Sequence, residues 1–127
     1  MLSRGIQTAL LVDQEPTVIQ VARAILERAG YLVLDTATES EALELSRRPG
    51  LSIDLMLTDV VEDRNSSVPY ILLFHPAMRV IYMSAYAPDH AAVERLRRDG
   101  ATILQKPFTY HTLIMAAAPA RPLAATA

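Results

Sequence analysis

The chain has 127 residues, 51% hydrophobic and 20% charged, which predicts one globular domain around a single core. A net charge of −2 gives no basic field for nucleic acid, and the lack of cysteine removes disulfides, thiolate catalysis and Cys-ligated zinc together. The longest apolar runs, Tyr70–Phe74 and Leu113–Ala118, fall far short of the roughly 20 residues that cross a bilayer. No cleavable signal pattern opens the chain, so a cytoplasmic domain without membrane contact is the expectation.

Short β-rich runs alternate with longer amphipathic ones, and no repeat emerges. Thr8–Val12 reads as a buried strand ending at Asp13, and Pro16 stands where a first helical turn tolerates proline. Val18, Val21, Ala22, Ile25, Leu26 and Ala29 then recur at helical spacing, which predicts one buried stripe on a helix stopped by Gly30. Leu32–Leu34 is a short second strand. Thr38 and Glu41 form a capping box that opens a helix running to about Arg48, before Pro49 and Gly50. Leu55–Thr58 is a third strand ending at Asp59, and Val80–Met83 a fourth ending at Ser84. A helix from about Pro88 to Arg98 closes at Gly100, and Ala101–Gln105 is a fifth strand ending at Lys106-Pro107. Thr109 caps a last helix, which Pro119 ends.

Five strands alternating with helices predict an α/β fold, a parallel sheet with helices on both faces. Ligands of such sheets bind beyond the carboxyl ends of the strands, where this chain places Asp13, Asp59, Ser84 and Lys106. Two carboxylates at one edge repel; at about 4 Å and an effective dielectric near 20 the cost is roughly 4 kcal/mol. A hard divalent cation such as magnesium relieves it, and lysine supplies a compact charge for phosphate oxygens. Of the twelve basic residues only Lys106 is not arginine, so a lysine at this strand end looks chosen for its shape. The set describes phosphoryl transfer with an aspartate as acceptor.

Leu11-Val-Asp-Gln-Glu-Pro16, Leu57-Thr-Asp-Val-Val61, Tyr82-Met-Ser-Ala-Tyr86 and Leu104-Gln-Lys-Pro-Phe108 resemble, in order and spacing, the motifs of response-regulator receiver domains. The likeness is closest to receivers attached to hybrid sensor histidine kinases. It covers about residues 6–115, and the domain is expected over 6–118 with a frayed tail at 119–127. The resemblance implies strand order 2-1-3-4-5, as in flavodoxin-like folds. It also implies transfer of a phosphoryl group to Asp59 from a phosphohistidine on a sensor histidine kinase or a phosphotransfer domain. Asp13, Asp59 and the Val61 carbonyl would hold Mg2+, Ser84 would follow the arriving phosphoryl group, and Lys106 would pair with it. Val61 and Tyr86 stand at two variable positions that resemble the family's lifetime-setting sites, where their bulk implies slow access of water.

Three departures modify that reading. The family's acidic pair reads Asp-Asp where this chain has Asp13-Gln14; the Gln14 amide oxygen is a possible metal ligand but carries no charge, so weakened magnesium binding and slow or absent phosphorylation are expected. The turn after the acceptor strand reads Glu62-Asp-Arg-Asn65, and the stretch from Asp59 to Ser84 is a few residues short. Ile103 occupies the aromatic switch position, which excludes an aromatic rotamer relay there.

Pro69–His75 is apolar nearly all round. It is expected as a short, deeply buried or partly extended connector, with a homodimer or partner contact as the sharper alternative. His75, His90 and His111 share no ligand spacing and read as solvated or locally capped. Two other functions stay open. One is a degenerate, phosphorylation-independent receiver acting as an interaction module. The other is a magnesium-dependent phosphohydrolase, for which no positioned base stands beside Asp59 in the sequence.

Overall fold

In the computed structural model residues 5–61 and 66–118 are described. The elements follow in the order β1 (Thr8–Val12), α1 (Pro16–Arg28), β2 (Leu32–Thr36), α2 (Glu39–Ser46), β3 (Leu55–Asp59), α3 (Val68–Phe74), β4 (Arg79–Ser84), α4 (Ala91–Arg98), β5 (Thr102–Gln105) and α5 (Tyr110–Ala117). All strand pairings are parallel, in the order β2-β1-β3-β4-β5. Glu62–Asn65 and the tail 119–127 lie outside the described residues.

The strands carry apolar side chains to both faces, as a covered parallel sheet requires. Ala9, Leu11, Leu55 and Leu57 pack on one side against Ala22, Ile25 and Leu26 of α1 and Leu113 and Ala117 of α5. Their neighbours Leu10, Val12 and Met56 pack on the other against Ala42 of α2 and Val68 and Ile71 of α3. Both predicted caps are present: Thr38 and Glu41 exchange bonds at the start of α2, and Thr109 does so with Thr112 at α5. Gly30 and Gly100 follow α1 and α4 in the left-handed region, φ 100° and 85°, where any other residue would be strained.

Several boundaries differ from expectation. The α1 stripe is narrower than its spacing implied, with Val21 and Ala29 exposed and only Ala22, Ile25 and Leu26 buried. Val18 and Ile19 pack against the same core only partly buried. α4 begins at Ala91 rather than near Pro88, because the His90 ring accepts the Ala92 amide and takes the cap position. Residues 68–74 form a helix, not a connector that is deeply buried or extended. Val68 and Ile71 reach the core, while Tyr70, Leu73 and Phe74 stay 60%, 77% and 53% exposed. His75 is buried rather than solvated: its Nδ1 accepts the Ile53 amide at 3.2 Å and its Nε2 donates to the Ser46 carbonyl at 2.8 Å. Among the described residues no helix is long and apolar enough to cross a membrane.

Candidate functional site

The strand order puts the carboxyl ends of β1 and β3 side by side, with β4 and β5 following on the same edge. Asp13, one residue past β1, and Asp59, the last residue of β3, both turn to Lys106, one residue past β5. Lys106 Nζ donates to Asp13 Oδ2 at 2.8 Å and to Asp59 Oδ1 at 2.9 Å, with Glu15 Oε1 at 3.7 Å. The second Asp13 oxygen is fixed by the Glu15 amide at 2.8 Å. The Lys106 amide donates to the Ser84 carbonyl at 2.7 Å, and the Lys106–Pro107 peptide is cis.

Burial pushes the Asp59 carboxyl above its ordinary range, against the pull of the Lys106 hydrogen bond and with the charges of Asp13 and Glu15 adding to the rise. Burial alone would lower the Lys106 ammonium. Its hydrogen bonds to Asp13 and Asp59 outweigh that and hold it above the ordinary lysine range. The cation is therefore held in place and stays charged.

An open cavity of about 400 Å3 lies over this edge, lined by Asp13, Gln14, Glu15, Glu39, Asp59 and Val61. Gln14 is exposed and Val61 is half exposed at the rim. Ser84 is fully buried, and its hydroxyl is engaged by its own loop: Oγ accepts the Tyr86 amide at 3.1 Å and lies 3.3 Å from the Tyr86 carbonyl. Ile103 is partly buried on β5, paired across to Tyr82 of β4. The structure thus joins Asp13, Asp59 and Lys106, sets Gln14 and Val61 on the rim, and turns Ser84 toward Tyr86.

The Lys106 ammonium takes one oxygen from each of the two carboxylates. Carboxylate oxygens are the hard donors that magnesium takes, so the chemistry of Asp13 and Asp59 suits that ion. Gln14 adds no charge to the set, and among the described residues no group of three or more His, Cys, Asp or Glu gathers as metal ligands.

Glu39 is the residue that the sequence reading missed. Its carboxylate, on the first residue of α2, accepts from Thr58 Oγ1 at 3.2 Å, Ser66 Oγ at 3.0 Å and the Ser67 amide at 2.7 Å. It thereby ties Thr58, the residue before Asp59 on β3, to Ser67, the N-cap of α3. Sequence holds no local signal for this, because its partners lie 19 to 28 residues away. Burial and the nearby Glu39 and Asp99 charges raise the Tyr82 hydroxyl above its usual range.

The model of the response regulator receiver domain family matches residues 9–118, with the acidic edge inside the matched span. The chain belongs to that family. This receiver domain is 33% identical over 113 residues to "Sensor kinase CckA" of Brucella abortus, covering 86% of this chain and 12% of the kinase. It is 31% identical over 107 residues to "Transcriptional regulatory protein ZraR" of Escherichia coli, covering 82% of this chain and 24% of that regulator. The chain therefore spans a quarter or less of these relatives. A response regulator from Thermotoga maritima superposes with a TM-score of 0.74 at 28% identity, over 87% of this chain and 92% of that one. Fold class, strand order and family all agree with the reading from sequence.

Proposed function

We propose that Asp59 accepts a phosphoryl group from a phosphohistidine, on a sensor histidine kinase or a phosphotransfer domain, and that the modified domain switches a surface read by a partner. The observation that carries this reading is the Lys106 ammonium bridging Asp13 and Asp59 at the sheet edge. In the transfer the phosphorus–nitrogen bond breaks and a bond to an Asp59 oxygen forms, while the imidazole keeps the electron pair. Lys106, which now bonds Asp59, would exchange that bond for one to the phosphoryl group. Ser84 supplies a hydroxyl from the neighbouring strand once it leaves Tyr86.

Receiver domains take Mg2+ at an acidic pocket of this kind. Here Asp13, Asp59 and the Val61 carbonyl would hold it, with Gln14 as an uncharged neighbour. When bound, the ion would neutralise charge on the carboxylates and the phosphoryl group. The missing charge at Gln14 is the ground for weakened affinity.

The product is a conformational state, not a released chemical, so the domain acts as a cytoplasmic signalling module and not as an enzyme. The exposed Tyr70, Leu73 and Phe74 offer residues 69–75 for an apolar contact, with a second copy as one occupant. A second reading, a receiver that binds its partner without phosphorylation, draws support from the exposed, neutral Gln14.

Intact mass after incubation with a small acyl-phosphate donor, with and without Mg2+, separates the two. A magnesium-dependent adduct in the wild type, absent from Asp59→Asn, is the expected result. No adduct even at high Mg2+ would replace the phosphorelay reading with the interaction module.

A further inference from the structure

Gln105, the last residue of the edge strand β5, pairs directly across from Ser84 in the sheet register. Its side chain is exposed, yet it folds back over the loop after β4. Nε2 donates to the Ser84 carbonyl at 3.0 Å and the Tyr86 carbonyl at 2.9 Å, with the Lys106 carbonyl at 3.5 Å. Three carbonyl oxygens around one amide end require the nitrogen there, since the amide oxygen would be repelled by each. Tyr86 also holds the Ser84 hydroxyl and stacks on His90, the cap of α4, at 4.1 Å between ring centres.

We infer that Gln105 is a positioning residue whose amide clasps the Ser84–Tyr86 loop in the unphosphorylated arrangement. It holds the hydroxyl on Tyr86 and away from Asp59. The inference rests on phosphoryl acceptance by Asp59. β5, Thr102–Gln105, carries no aromatic ring to hold this loop, with Ile103 two residues before Gln105, and a clasp from Gln105 does so by hydrogen bonds alone. Contacts made only in the resting arrangement oppose the modified one, and by linkage their removal favours phosphorylation. Release of the Tyr86 carbonyl reaches α4 through the stacked His90 ring.

Gln105→Met keeps the length of the side chain and removes the donor, and Gln105→Ala removes both. In an intact-mass time course with an acyl-phosphate donor and Mg2+, both variants are expected to form the Asp59 adduct roughly three- to tenfold faster than wild type. A merely structural role would lower the thermal midpoint without raising that rate. An unchanged or slower rate, with wild type taking the adduct, overturns the inference. Amide hydrogen exchange over residues 80–90 in the unmodified protein tests the clasp separately: faster exchange in both variants supports it, and equal exchange overturns it. Failure of the wild type to form any adduct would remove the phosphorelay reading. The exchange result would then decide the clasp alone.

Discussion

Asp59 and Lys106, 47 residues apart in the chain, meet through a hydrogen bond of 2.9 Å at the sheet edge, and the same ammonium holds Asp13 at 2.8 Å. Lys106 thus sits where two carboxylates would otherwise face each other without compensation. Its side chain is 10% exposed and that of Asp13 only 1%, so this is a desolvated arrangement, unlike a surface ion pair. Asp59, at 36%, remains open to the cavity.

The raised Asp59 carboxyl has a consequence for stability. Its folded pKa lies above the unfolded one, so the stability it contributes is fully present below the unfolded value, about 4. That contribution is lost as pH rises through the folded value. Asp59→Asn does not titrate. The thermal midpoint of Asp59→Asn minus that of wild type is therefore expected to grow from about pH 4 upward and to level off once Asp59 is ionised. A difference that is flat or falls with pH would mean that pairing with Lys106 outweighs burial.

Gln14→Asp restores a second carboxylate beside Asp13 at the cavity rim. The half-saturating Mg2+ concentration for adduct formation is expected to fall on the order of tenfold, the equivalent of about 1.4 kcal/mol of added attraction. Calorimetric titration of the unmodified protein with Mg2+ checks the same shift without phosphoryl chemistry. Equal affinities in the two proteins would show that Gln14 is not the weak point.

Glu39→Ala strips the acceptor from Thr58, Ser66 and the Ser67 amide together. Thr58 is buried, so its hydroxyl loses this partner with little access to solvent in exchange. A loss of about 2 kcal/mol is expected in chemical denaturation. Glu39→Gln keeps an acceptor oxygen and should lose less. If both variants match wild type, Glu39 does not hold the start of α3.

The apolar edge of α3 is tested by sedimentation. A second copy seated on Tyr70, Leu73 and Phe74 gives a concentration-dependent sedimentation coefficient, and Leu73→Glu returns it to that of a monomer. A single monomeric species for wild type, well above micromolar concentration, withdraws self-association through this helix.

The sheet and most of its helices were legible in the sequence because their signals are local. Thr38 and Glu41 stand three residues apart, and so do the two halves of the α5 cap. Gly30 and Gly100 mark helix ends by a backbone need that few other residues meet. The apolar runs of β1 and β3 describe strands covered on both faces, and parallel pairing then carries Asp13 and Asp59 to the same edge. Candidate site residues could therefore be read as a consequence of topology, and four motifs in register named the family. Only the tertiary structure decided how these residues meet. The Lys106 bridge spans 93 residues to Asp13, Glu39 reaches 28 residues to Ser67, and His75 lies 29 residues from the Ser46 carbonyl that it holds. No window of sequence contains such pairs. The same holds for α3, whose composition suggested burial or extension. It is a helix with one apolar edge in solvent, because burial depends on how much core surface faces it. Local chemistry specifies the elements, and packing specifies which side chains are left to act.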